Sequence, residues 1–306
     1  MKVIIGTRGS KLAMKQTNMV ADELRERDMD VELKIVKTSG DIFIDKSLQE
    51  FAGKGAFVSE INDMIVRGEV DLAVHSLKDL PTELPDEVFI AALLPRASRK
   101  DVLISDYGLK DLPEGARVGT SSTRRKAQLL RIRPDLQIDD IRGNIDTRIR
   151  KLTQYDAYDA IVMAKAGLDR LDINIEIKEL PFITSAGQGA IAVVARKDSE
   201  ACGIIGELDH RDTRIEVEVE RAILGGLGGG CVVPMGVAAE LNGDNISVET
   251  EVLSLNGVRG AYVKRDIKLN DYKESSLDIV EELKRKGGAS LVEEAVRFTD
   301  QSLKSD

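Results

Sequence analysis

Short apolar runs alternate with amphipathic stretches through the first two hundred residues. Lys2 to Ile5, Val31 to Val36 and Asp71 to Val74 read as buried strands. Leu12, Met19, Val20 and Leu24 share one helical face between the first two, and Phe57, Ile61, Met64 and Ile65 repeat that spacing before the third. This βαβαβ order predicts a parallel sheet with right-handed crossovers. A second series follows, with strands at Val118, Leu136 to Ile141 and Ala160 to Met163, and helices at Ser122 to Ile132, Ile145 to Leu152 and Ala166 to Leu171. Ala190 to Ala195 is a further buried strand whose sheet the pattern leaves open. The prediction is α/β: two doubly wound α/β domains with a hinged cleft.

The last hundred residues change period. A helix over Arg214 to Leu224 gives way to alternating strands at Val237 to Leu241, Ile246 to Leu253 and Ala261 to Ile267. The breaks between them, Asn242-Gly243-Asp244-Asn245 and Asn256-Gly257, are hairpin signals. Helices at Ser276 to Arg285 and Ala289 to Phe298 would cover one face, so a C-terminal α+β domain with an antiparallel sheet is expected. Between helix and sheet stands Gly225-Gly226-Leu227-Gly228-Gly229-Gly230, followed by Cys231. Glycine accepts positive φ, so the run is expected to be a pliable loop outside any helix, presenting a nucleophilic or ligating sulfur. The alternative is a small buried hydrophobe.

Composition narrows the chemistry. The chain has 306 residues, 42% of them hydrophobic, and a formal net charge of −9. That suits two or three globular domains and argues against a general nucleic-acid surface, which needs a wide positive face. No signal h-region opens the chain and no run approaches a membrane span, so a cytoplasmic protein is expected. Cys202, Cys231, His75 and His210 make a poor metal-ligand inventory, and no metal is expected. The arginines are uneven: Arg124, Arg125, Arg131 and Arg133, then Arg142, Arg148 and Arg150. Such a block in an acidic chain is either a local anion site or a solvated helix face.

In doubly wound sheets ligands bind beyond the carboxyl ends of strands. Four segments fall there: Gly6 to Ser10, His75 to Asp79, Gly119 to Arg125, and Arg142 to Asn144. Each joins hydroxyls or glycines to a cation, as carboxylate or phosphate recognition requires. Asp79 is the one carboxylate among them, either a salt-bridge partner of Lys78 or a group that exchanges protons or stabilises a developing cation. Lys54, flanked by Gly53 and Gly55, lies in a segment that could form a lid.

Eight stretches in order make the chain resemble the porphobilinogen deaminase family over essentially its whole length. They are Thr7 to Ala13, Gly53 to Val58, Ala73 to Asp79, Gly119 to Arg125, Arg142 to Arg148, Ala166 to Leu171, Gly187 to Ala190, and Gly229 to Gly236. The resemblance implies a transferase that joins four porphobilinogen units head to tail with loss of ammonia, on a covalent dipyrromethane cofactor. It implies the thioether at Cys231, a catalytic carboxylate at Asp79, and cofactor contacts from Arg8, Ser10, Lys78, Ser122, Arg124, Arg125, Arg142 and Arg148. Lys54, Phe57, Ser76, Thr120, Asn144, Arg170 and Gln188 become cleft or substrate-binding residues.

The implied domains are 1–94 with 190–208, 95–189, and 211–306. A monomer with a small-molecule substrate and no nucleic-acid or membrane partner is expected. Leu227 and Gly228 depart from the bulkier residues expected there, which suggests a mobile loop. A periplasmic-type anion-binding protein would share the hinged sheets but have no use for Cys231. An RNA-binding protein would lack stacking surface, with five tyrosines, six phenylalanines and no tryptophan.

Overall fold

The computed structural model describes residues 1–36 and 56–302, apart from the side chains of 56–59, 231 and 302. These fall into two compact units, 1–98 with 169–173 and 187–214, and 99–168 with 174–186 and 215–306. In chain order the strands are β1 (Lys2–Arg8), β2 (Asp30–Val36), β3 (Leu72–Ser76), β4 (Val88–Leu93), β5 (Asp101–Ile104), β6 (Arg117–Gly119), β7 (Gln137–Asp139), β8 (Ala160–Ala164), β9 (Lys178–Glu179), β10 (Ile191–Arg196), β11 (Met235–Asn242), β12 (Asn245–Leu253) and β13 (Gly260–Lys268). The helices are α1 (Lys11–Arg25), α2 (Ala56–Val66), α3 (Thr123–Ile132), α4 (Ile145–Thr153), α5 (Lys165–Arg170), α6 (Cys202–Gly206), α7 (Arg211–Leu227), α8 (Tyr272–Arg285) and α9 (Gly288–Ser302).

The sheet of the first unit runs β2-β1-β3-β10-β4. β1 pairs in parallel with β2 and β3, as the βαβαβ pattern predicts. β10 is antiparallel to both of its neighbours, so the sheet is mixed rather than wholly parallel. The second unit repeats the scheme: in β7-β6-β8-β5-β9, β6 is parallel to β7 and β8, and β5 is antiparallel to β8 and β9. The exceptions share a cause. β5 follows β4 and β10 follows β9, in each case a strand of the other sheet, so neither enters its sheet through the βαβ crossover that makes neighbouring strands parallel. On α1, Val20, Ala21 and Leu24 share one face at helical spacing and join the core of Val3, Ile5, Leu72, Val74 and Val193.

The third sheet, β11-β12-β13, is antiparallel with the two predicted hairpins. Its core is covered by α7, α8 and α9, with Ile215, Val219, Ile223 and Leu227 on α7 recurring every four residues toward the strands. β11 is an edge strand whose outward N–H groups are all satisfied. Val237 donates to the Thr184 carbonyl at 2.8 Å, Ala239 to Glu220 at 3.0 Å and Leu241 to Glu216 at 3.1 Å. Two carboxylates one helical turn apart thus match every second residue of a strand and close the edge.

The glycine run is not one loop. Gly225 and Gly226 belong to α7, against the expectation, because the helix passes so close to α8 that a Cβ on Gly226 would lie 2.8 Å from Val280 Cγ2. The turn begins afterwards, with φ of 77°, 81° and 56° at Gly228, Gly229 and Gly230, and leads into a 3-10 turn over Gly230–Val232. Gly229 is required twice, by its left-handed backbone and by Val233 Cγ2, which a Cβ would meet at 2.2 Å. Leu227 and Val233, both buried, hold the ends of the turn.

Candidate active site

In the first unit the candidate residues gather at the carboxyl ends of β1 and β3, which are neighbours in the sheet. Arg8 ends β1, and Ser10 caps α1 by accepting the Ala13 N–H at 3.3 Å. Ser76 ends β3 and exchanges hydrogen bonds with the Gln16 amide, at 2.8 and 3.1 Å. Leu77–Asp79 form a 3-10 turn in which Lys78 donates to Gln188 Oε1 at 3.5 Å. Gln188 is itself buried between Gly187 and Gly189, and the Arg170 guanidinium donates to the Gly189 carbonyl at 2.6 Å. Gly189 has φ of 89°, and a Cβ there would sit 2.5 Å from the Ala97 carbonyl oxygen, so Gly-Gln-Gly is dictated by close backbone approach. Arg96, which no sequence pattern singled out, donates to the Gln188 carbonyl at 2.9 Å.

Asp79 stands apart. Its side chain is exposed, and among the described residues it makes no hydrogen bond or ion pair. It is therefore not held as the salt-bridge partner of Lys78, whose ammonium reaches Gln188 instead.

His75, one residue before Ser76, is 7% exposed, and its Nε2 has no partner. Burial, with the Arg8 charge adding to it, pushes the imidazole down to about 4. The unfolded chain takes up this proton as pH falls through about 6.5, while the folded chain resists until about 4, so stability is lost on acidification across that window. Between pH 7 and pH 4.5 the single group should cost roughly 2 to 3 kcal/mol. Denaturant melts should show His75→Gln losing less stability than the parent over that interval by this amount. Equal losses would show that His75 titrates normally.

In the second unit the candidates lie at the carboxyl ends of β6 and β7. Thr120 and Ser121 tie the two loops together: the Thr120 N–H donates to the Asp139 carbonyl at 2.9 Å, and the Ser121 hydroxyl to Ile141 at 2.9 Å. Thr120 Oγ1 accepts the Ser122 N–H at 3.3 Å, and Ser122 caps α3 by accepting the Arg125 N–H at 3.4 Å. Asn144, exposed, occupies the N-cap position of α4 without a side-chain cap bond. Arg148 reaches back to the Gly143 carbonyl at 2.7 Å, and Arg142 lies 3.9 Å from Asp140. Two helix N-termini thus open beside these side chains, a setting that favours anions.

The start of the arginine block is not a solvated face, although Arg131 and Arg150 are exposed. Arg124 and Arg125 are buried and converge on Asp101, which is fully buried at the head of β5. Asp101 Oδ2 accepts from Arg124 Nη1 at 2.8 Å, and Oδ1 accepts from Arg125 Nε and Nη2 at 3.0 and 2.7 Å. Arg125 also donates to the Val162 carbonyl at 3.0 Å, and Arg124 to Ser185 Oγ at 3.1 Å and the Ile183 carbonyl at 3.0 Å. Burial lowers the Arg124 pKa, opposed by Asp101. Arg133 pairs with Asp135 at 2.6 Å, and Arg131 is exposed. Neither Asp101 nor Ser185 belongs to a motif visible in the sequence. The usable signal was a lone carboxylate opening the apolar run Val102-Leu103-Ile104.

Cys231 lies in the 3-10 turn before β11. Cβ atoms built on Gly228 and Gly230 would meet nothing within 4 Å, so the backbone beside Cys231 is uncrowded. Phe57 falls within α2, and Lys54 lies outside the described residues. Among the described residues no helix is long and apolar enough to cross a membrane.

Two mixed α/β sheets with cationic loops at helix starts, and a small C-terminal antiparallel sheet covered by helices, define the class of an α/β protein whose strand ends favour anions. Residues 3–203 match the dipyrromethane cofactor binding domain of porphobilinogen deaminase, and residues 214–285 match its C-terminal domain. The chain is 48% identical over 301 residues to a probable porphobilinogen deaminase of Methanococcoides burtonii, covering 96% of this chain and 97% of that one. It is 42% identical to a porphobilinogen deaminase of Syntrophomonas wolfei, over 94% and 97% of the two chains. A third relative, from Nitratidesulfovibrio vulgaris, is 47% identical over 84% and 85%. The chain belongs to the porphobilinogen deaminase family.

Proposed function

We propose that this chain is a hydroxymethylbilane synthase: it joins four porphobilinogen molecules head to tail with release of ammonia, on a dipyrromethane cofactor held through a thioether at Cys231. The observation that carries the reading is that each unit by itself gathers cations, hydroxyls and helix N-termini at the carboxyl ends of neighbouring strands, β1 and β3 in the first and β6 and β7 in the second. Each porphobilinogen brings an acetate and a propionate, so a two-ring primer extended by four units presents about twelve carboxylates, which only guanidinium and ammonium groups could neutralise. The donor set fits such a ligand. Arg8, Ser10, Lys78, Ser122, Arg124, Arg142 and Arg148 hold the carboxylates and Arg125, drawn inward onto Asp101, backs Arg124, with Ser76, Thr120, Asn144, Arg170 and Gln188 shaping the site and Lys54 and Phe57 assigned to it by the family pattern. When bound, the cofactor supplies the pyrrole carbon to which the first substrate is joined.

Asp79 acts on the substrate. An ionised carboxylate beside the pyrrole favours the positive charge that develops as ammonia leaves, and it can take a proton from the ring after coupling. The functional division is 1–94 with 190–208, 95–189 and 211–306, each range holding one of the three sheets. The same reading makes the enzyme a cytoplasmic monomer acting on a small, water-soluble substrate. Incubation with porphobilinogen tests it: ammonia and linear tetrapyrrole should appear in a four-to-one ratio. Protein that consumes no porphobilinogen would overturn the reading.

A further inference from the structure

We propose that Asp101 is a positioning residue that sets Arg124 and Arg125 as a unit, so that the Nη2 edge of Arg124 is offered to a ligand carboxylate. The inference rests on the function proposed above. Asp101 has no exposed surface, yet it accepts three hydrogen bonds from two guanidinium groups, one oxygen serving each arginine. Glu251, a second buried carboxylate, also acts on the charge of Arg124, so Asp101 is set apart by its three direct hydrogen bonds and not by an unmatched charge.

The two arginines divide the work. Arg125 is drawn inward, with Nε and Nη2 on Asp101 and Nη1 on the Val162 carbonyl. Arg124 commits Nε to Ser185 and Nη1 to Asp101 and the Ile183 carbonyl. Its Nη2 makes no hydrogen bond among the described residues, and it is not one of the buried side-chain atoms left unsatisfied. That nitrogen therefore keeps an accessible edge while the rest of the guanidinium is fixed on three sides.

The segment that fixes it also meets the C-terminal sheet. Thr184 accepts the Val237 N–H of β11 at 2.8 Å, and a Cβ on Gly236 would lie 2.4 Å from the Ile183 carbonyl oxygen. The residues that orient Arg124 are thus braced against the strand that follows the Cys231 turn.

Asp101→Asn keeps the shape and removes the charge. In the holoenzyme, KM for porphobilinogen should rise roughly tenfold or more with kcat changed much less, as expected for a binding group that loses its charged support. Independently of turnover, the fraction of chains carrying the primer mass should fall, and the protected Nε–H NMR signals of both arginines should shift or broaden. Asp101→Glu should recover part of each effect. A folded Asp101→Asn enzyme with parental KM and primer occupancy, whatever its melting temperature, would make Asp101 a structural ion-pair residue and overturn the proposal.

Should Asp101→Asn fail to fold, Ser185→Ala decides the matter, because it removes one orienting bond to Arg124 and no charge. KM should rise about threefold with unchanged kcat and melting temperature, and an unchanged KM overturns the proposal. Parental protein lacking any primer mass would instead refute the functional reading.

Discussion

Replacement of Cys231 by alanine should remove a dipyrromethane from the intact mass and abolish product formation together. Residues 3–203 match the cofactor binding domain, and Cys231, within the C-terminal match at 214–285, stands on a turn in which Gly228 and Gly230 leave open space while Gly229 packs against Val233. A covalent anchor keeps each extension intramolecular, and losing it forfeits an effective concentration far above that of a diffusing chain. The drop in activity should exceed roughly a hundredfold. Cys202→Ala is the control. Burial pushes the Cys202 thiol up, and its Sγ donates to the Arg196 carbonyl at 3.3 Å, so it is a packed, protonated side chain and neither mass nor activity should change. Parental enzyme that shows its bare sequence mass yet makes hydroxymethylbilane would end the anchoring proposal.

The periodic elements were legible because burial wrote them into the sequence. α1, α3, β1, β3 and the three C-terminal strands carry buried positions at the expected period, and Ser10 and Ser122 announce their helices by capping them; the strand expected to be buried at Val31 to Val36 forms as β2 but, like α4, holds no buried residue. β9 has two residues and no period to read. The antiparallel entry of β5 and β10 depends on their arriving from a strand of the other sheet, which no local pattern records. Gly225 and Gly226 misled for a related reason. Glycine signals freedom in isolation, but here it is selected by the approach of Val280, a residue more than fifty positions away.

At the candidate site, the side chains proposed to face ligand were easier to read than those that hold them. Arg8, Lys78, Asp79 and Arg142 sit on loops at strand ends, where a cation or carboxylate already asks for an explanation. Asp101, Ser185, Gln16 and Arg96 act through partners distant in sequence, and only the fold brings them there. Arg124 and Arg125 fall between these cases. Their charge was visible, but the shared carboxylate that fixes their geometry was not.

Asp79→Asn should lower the rate of porphobilinogen consumption by at least roughly a hundredfold, the effect of removing one electrostatic stabiliser or proton-transfer group. The turn that carries Asp79 does not depend on its charge. Leu77 donates to the Ala190 carbonyl at 3.0 Å, Leu80 closes back on Leu77 at 3.0 Å, and both leucine side chains are buried. The exposed carboxylate makes no ion pair among the described residues, so asparagine leaves no partner stranded and the melting temperature should stay within a few degrees. Loss of rate without loss of stability separates a chemical role from a structural one. KM should change much less than kcat, because the carboxylate is asked to favour charge that exists only as ammonia departs. Asp79→Glu keeps the charge but moves it by one methylene, so it should retain part of the activity and accumulate enzyme-bound intermediates spaced by one pyrrole unit in the mass spectrum. Near-normal turnover in the asparagine variant would remove Asp79 from the chemistry and leave the acid-base group to be sought among the cationic residues around it.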